Sequence, residues 1–196
     1  MSKYSSKKAT KSPKSVDPGP QLRKTLARRT KNELIDVLVS LAREDRTVFR
    51  RLAARFPLQA PPEELMILTR QAIADATAFD TRWINYNFDY DQDAYEEVAR
   101  NLRRLVEEGH LRPAMELSLE LMDRGSYQVE MSDEGLMTDE IEDCLGAVLE
   151  ALQKCHLPTA EVVAWCGQMI KCDRVGFICD QELLALRQQL EGLKPS

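Results

Sequence analysis

Two short stretches 46 residues apart constrain this chain more than any other feature: HLRPA at 110–114 and HLPTA at 156–160. They hold the only two histidines of the 196-residue sequence, and their surroundings agree as well. Upstream, Leu102, Leu105 and Val106 correspond to Val148, Ala151 and Leu152; downstream, Ala114 and Leu117 correspond to Ala160 and Val163. Each unit reads as helix, tight turn at the histidine, helix, with Pro113 or Pro158 at or beside the start of the second helix. A period of this length belongs to stacked helix pairs, in which each unit buries its face against the next. One histidine per turn supplies no ligand cluster, so His110 and His156 read as turn residues that bond backbone carbonyls, and no metal site is expected.

The rest of the chain keeps helical period. Thr30 and Glu33 form a capping box ahead of an apolar stripe of Leu34, Ile35, Val37, Leu38 and Leu41. A short second helix follows Asp45, with Val48, Phe49, Leu52 and Phe56 expected inward. Pro57, Pro61 and Pro62 interrupt the pattern, and the next helix aligns Leu65, Leu68, Ala72, Ile73, Ala76 and Phe79. Thr138 or Asp139 suits the cap of a helix facing inward through Ile141, Leu145, Val148, Leu149 and Leu152; a last helix follows Asp180 with Leu183, Leu186, Leu190 and Leu193. No segment alternates in the manner of a strand. The expected fold is all-α: stacked helical hairpins forming a short, tetratricopeptide-like α-solenoid. Residues 1–20 are expected as a disordered basic tail and 21–196 as the helical repeat domain, with an opening hairpin at 21–56 and stacked helix pairs over 62–193.

Charge divides along the same line. Residues 1–31 hold ten lysines or arginines against the single Asp17, whereas the remainder holds 17 basic and 31 acidic residues. The acidic body excludes a nucleic-acid surface on the folded part. The tail, SSKKATKSPKSVDPGP and onward, has too little apolar surface to offset its ordering entropy. Its Lys3, Lys7, Lys8, Lys11 and Lys14, with Arg23, Lys24, Arg28 and Arg29 beyond, are the candidate nucleic-acid-binding residues, suited to neutralising phosphates without reading sequence. The plain alternative is a solvated tail. Five cysteines with no CxxC spacing point to reduced core thiols and a cytoplasmic location. No apolar run nears the ~20 residues of a membrane span, and no h-region follows the basic N-terminus.

One segment invites a more chemical reading. NYNFDYDQDAYEE, residues 85–97, sets Asp89, Asp91 and Asp93 at alternate positions. A calcium loop opening at Asp89 would need Gly at its sixth position and Glu at its twelfth; it has Ala94 and Arg100. The segment instead reads as a helix start capped by Asp93. Six of the twelve aromatic residues fall between 79 and 95. Two readings stand side by side: a plug between helical layers, or a partner-binding patch of Trp83, Tyr86, Phe88, Asp89, Tyr90, Asp91 and Tyr95, aromatic with an acidic rim. A hydrolase built on these aspartates is the weakest expectation, because no activated nucleophile, metal set or glycine-rich phosphate cradle accompanies them.

TKNELIDVLVSLAREDRTVFRRLAARF, the aromatic–acidic connection, LRRLVEEGHLRPAMELSLELM and the turn at SDEG together resemble, in the same order, a bacterial family of helical-repeat regions often found C-terminal to SWIM zinc-finger domains. The likeness covers roughly residues 22 to 190, and the finger's own Cys-x-Cys and Cys-x-His are missing. The resemblance implies an α-solenoid that holds a partner, with no catalytic residue, cofactor or metal carried over. The expected function is therefore a non-enzymatic protein–protein interaction module whose acidic body takes a basic or extended segment. The alternative is a nucleic-acid-associated accessory protein acting through its tail.

Overall fold

The computed structural model describes residues 17–56, 59–79, 90–132 and 138–192. Every regular element among them is an α-helix: α1 (Gly19–Leu26), α2 (Lys31–Glu44), α3 (Arg46–Arg55), α4 (Pro62–Ala76), α5 (Gln92–Glu107), α6 (Leu111–Met131), α7 (Thr138–Gln153), α8 (Thr159–Cys172) and α9 (Asp180–Gly192). None of the described helices is long and apolar enough to cross a membrane. The chain divides into two compact units, 1–49 and 50–196, with the boundary inside α3.

In the first unit, α1 opens at Gly19, two residues inside the stretch expected to be disordered. Asp17 accepts from the Gly19 backbone N–H at 2.9 Å, and Pro20 occupies the first turn, where its missing N–H costs nothing. The predicted capping box starts α2: the Glu33 N–H donates to Thr30 Oγ1 at 3.3 Å and the Thr30 N–H to Glu33 Oε2 at 2.8 Å. Asp45 closes α2 and caps α3, its Oδ1 accepting from the Thr47 N–H at 2.8 Å. The apolar stripe of α2 is not a core face, for no residue of α2 is buried.

The core lies in the second unit and has one contiguous interior running from Leu65 to Leu186. α5 packs on α4 and on α7, α6 on α4, α7 and α8, and α8 on α9. Periodicity explains the inward faces: Leu65, Thr69, Ala72, Ile73 and Ala76 on α4, Val98, Leu102 and Leu105 on α5, Ile141, Leu145, Val148 and Leu152 on α7. Gly125 lets α6 and α7 approach, since a Cβ there would stand 2.7 Å from Ile141 Cδ1. Several side-chain bonds between helices join residues a nearly constant distance apart in sequence. Arg70 reaches Glu116 and Ser126 reaches the Cys172 carbonyl (46 apart), Trp165 reaches Met115 (50) and Gln128 reaches Ala76 (52).

Both histidines lie in connections, His110 between α5 and α6 and His156 between α7 and α8. The two connections are closed differently. Gly109 adopts φ +82°, its N–H bonds the Val106 carbonyl at 3.0 Å, and the His110 N–H bonds the Leu105 carbonyl at 2.7 Å. That pair of bonds is a Schellman closure, which favours glycine in the left-handed position. No glycine stands at the second connection, where the Lys154 N–H bonds the Ala151 carbonyl at 3.2 Å and Pro158 precedes α8. The α8–α9 loop is organised by Asp173, whose carboxylate accepts from Val175 N–H at 3.0 Å and Ile178 N–H at 2.8 Å.

One expectation about inward residues needs correction. Phe56, expected inward and placed just beyond the end of α3, is 60% exposed, whereas Arg50 within that helix is 6% exposed. The reason is electrostatic, since the second unit supplies three carboxylates for that guanidinium.

Candidate functional site

Arg50 donates to three carboxylates. Its Nε donates to Glu97 Oε2 at 3.1 Å, one Nη to Asp75 Oδ2 at 2.7 Å, and the other to Asp91 Oδ2. Burial alone would lower its pKa, but the Asp91 hydrogen bond and the charges of Asp91, Asp75 and Glu97 outweigh it and leave the pKa raised. Asp91 also caps α5, its Oδ1 accepting from the Ala94 N–H at 3.0 Å. This corrects the sequence expectation: the cap is Asp91, and Asp93 lies exposed in the first turn. Both oxygens of Asp91 thus have structural duties, one to the helix and one to Arg50.

Downstream of that cap a groove runs between α5 and α7, enclosing about 390 Å³. α5 supplies Gln92, Glu96, Ala99 and Arg103, and α7 supplies Glu140, Asp143 and Cys144. Spacings of three and four residues keep each set on one helix face. Three carboxylates face a single guanidinium, so the walls are net acidic. Tyr95 and Cys144 also border the groove and are almost fully buried, 2% and 1% exposed. Tyr90 donates its hydroxyl to Glu140 of the groove wall, and that bond, ahead of burial, raises its pKa.

None of these lining residues is an activated nucleophile. The Cys144 thiol donates to the Tyr95 carbonyl at 3.3 Å, and burial, followed by the charge of Asp143, pushes its pKa up to about 12. A thiol held protonated at neutral pH neither attacks nor ligates. Tyr95 donates its hydroxyl to Gln128 Oε1 at 2.7 Å, and burial first of all raises its pKa as well. All five cysteines are free thiols, and among the described residues no group of three His, Cys, Asp or Glu is arranged to hold a metal.

A second, shallower depression lies between α6 and α8, lined by Met115, Leu119 and Trp165 and bridged by Arg112 and Glu161. Arg112 grips both oxygens of Glu161, at 2.7 and 2.9 Å. On α1 and the turn after it, Lys24, Thr25, Arg28 and Arg29 border a cationic concavity of about 450 Å³. Arg29 is drawn toward Glu33 at 3.7 Å, with both side chains more than half exposed. Arg23 and Lys24 stand in the last turn of α1, where cations suit the helix dipole.

Of the expected partner-binding patch, Trp83, Tyr86, Phe88 and Asp89 lie outside the described residues, as do Lys3, Lys7, Lys8, Lys11 and Lys14 of the tail. Tyr90 and Asp91 are half-buried beside the groove. Of the two places read for Tyr95, between helical layers or on a partner-binding surface, the α5 period gives it the first, turning it inward with Val98 and Leu102. Glu96, Arg103, Glu140 and Asp143 are not among the residues that the sequence singles out. Their spacing is visible there, but the pairing of α5 with α7 is not.

No family model, no curated protein and no solved structure matches the chain.

Proposed function

We propose that this protein is a non-enzymatic interaction module, whose second unit is a short α-solenoid holding a basic, extended protein segment in the groove between α5 and α7. The observation that carries the proposal is the groove itself, whose walls bring Glu96, Glu140 and Asp143 together with Arg103. An extended segment with alternating basic side chains finds complementary charge there, which governs encounter and register. Support for the stacked-hairpin architecture comes from the recurring offset. Bonds 46 to 52 residues apart link α4 to α6 and α6 to α8. The 46-residue spacing of the two histidine motifs has the same size, and a likeness to the SWIM-associated helical regions forms part of the same proposal.

The test is fluorescence anisotropy of a labelled Lys/Arg-rich peptide titrated with full-length protein, beside an acidic peptide of equal length. Binding is expected for the basic peptide only, weakening with salt, and falling roughly tenfold or more in a Glu140→Lys/Asp143→Lys variant. Equal binding by variant and parent would refute the groove as the site.

A second reading rests on the concavity bordered by Lys24, Arg28 and Arg29, which continues the cationic run of residues 3 to 14. In it the protein is an accessory factor held to nucleic acid by its N-terminal region. Duplex DNA titrated into full-length protein and protein lacking residues 1–31 would then bind only the former, with log affinity falling by about 0.9 per phosphate contact for each decade of salt.

A further inference from the structure

α2 carries a pattern that neither reading uses. Lys31, Leu34, Leu38, Leu41 and Asp45 follow one another at spacings of three, four, three and four residues. Such spacing aligns Lys31, Leu34, Leu38 and Leu41 as a single seam on one helix face, the heptad pattern of a coiled-coil contact, and Asp45, the extended C-cap residue, follows at the end of the helix. The seam is apolar in the middle and closed at its two ends by opposite charges.

Nothing described in the first unit covers it. Ile35, Val37, Leu38, Val39 and Leu41 are 43–51% exposed, and no other helix of residues 17–49 packs along α2. Five large apolar side chains on one 14-residue helix exceed the scattered exposure normal for a surface. A helix of this length is also marginal without packing on its apolar face.

The order of charges identifies what covers the seam. We propose that α2 pairs with α2 of a second copy of this chain, antiparallel and centred on Leu38, to form a two-fold symmetric dimer. In that register Leu38 meets its own counterpart, Leu34 lies opposite Leu41 and Ala42, and Lys31 of each copy lies opposite Asp45 of the other. A parallel pair would instead set Lys31 against Lys31 and Asp45 against Asp45, so like charges at both ends exclude it. Ile35 and Val37 flank the seam and extend the apolar contact. Two-fold pairing uses the same patch on both copies, so a single helix with a self-complementary seam is sufficient. Asp45 keeps its cap on α3 through Oδ1.

Sedimentation equilibrium of the full-length chain over micromolar to submillimolar concentrations tests the proposal. A species of twice the 22.4 kDa chain mass is expected at the upper end. Leu38→Asp, exposed in the single chain and therefore tolerated by the fold, should return the mass to that of one chain. Lys31→Glu and Asp45→Lys should each be monomeric, because each sets like charges at both ends. An equimolar mixture of the two variants should dimerise. In the mixed pair the introduced glutamate of one copy meets the introduced lysine of the other, and the unaltered Asp45 and Lys31 meet at the opposite end. Circular dichroism of each variant separates loss of pairing from loss of fold. A single-chain mass at every concentration overturns the proposal, as does a dimer that persists in Leu38→Asp. A mixture that stays monomeric while both variants keep their helicity overturns the antiparallel register.

Discussion

The indole N–H of Trp165 donates to the backbone carbonyl of Met115 at 2.9 Å, across the contact between α8 and α6. The carbonyl already serves the helix, so the indole adds a second donor to it while its rings fill the space between layers. Trp165→Phe removes the bond and part of the volume. It should cost about 1–3 kcal/mol, read as a lowered urea midpoint by circular dichroism. An unchanged midpoint would mean that the α6–α8 contact contributes little to the cooperative unit.

Removing the cation at the centre of the Arg50 cluster is the more severe change. Arg50→Ala leaves Asp75, Asp91 and the 2%-exposed Glu97 facing one another without the shared guanidinium. A loss of about 3–5 kcal/mol is expected from breaking a buried pair in this one-sided way. Arg50→Met with Glu97→Gln, which removes charge from both sides, should recover part of it. Denaturant curves of the three proteins decide.

Asp91 and Asp93 can be separated by mutation. Asp91→Ala loses the α5 cap and one Arg50 partner together and should cost about 1–2 kcal/mol or more. Asp93→Ala touches an exposed first-turn carboxylate and should stay within about 0.5 kcal/mol. Asp91→Asn keeps the cap and should fall between them. Thermal melts of all three give the ranking, and a larger effect at Asp93 would contradict the observed cap.

Alkaline pH should unfold the protein through its thiols. Burial raises Cys144 and Cys179 to about 12 and Cys166 to about 11 in the folded chain. Unfolded thiols ionise near about 8.5, so above that pH the unfolded state holds fewer protons than the folded one. Stability from these groups is therefore complete below about pH 8.5 and declines as pH rises toward 11 to 12. Melting temperature against pH should show that fall, and Cys144→Ala should flatten it at some cost in packing.

The helices are legible in the sequence because their information is local. The Thr30–Glu33 box, Pro62 in its first turn and the 3.6-residue faces of α5 and α7 are each set within a few residues. What escapes a local reading is long-range. Asp93 and Asp91 satisfy the same local rule for a cap, and Arg50, far away in sequence, accompanies the second. Hydrophobicity places Phe56 inward, whereas the buried position of α3 goes to an arginine with three distant partners. The groove is hidden likewise, since Glu96 and Glu140 become neighbours only when α5 lies beside α7.

The inter-helix bonds of α4, α6 and α8 span 46 to 52 residues, and the packed helix pairs are neighbours or next neighbours along the chain. During synthesis, each of these bonds can form once the next fifty or so residues have been made. At roughly 5–20 residues per second that delay is a matter of seconds. The apolar face of α4 can thus be covered by α5 and α6 before α8 exists. Exposure to aggregation on the ribosome is limited to one growing layer at a time.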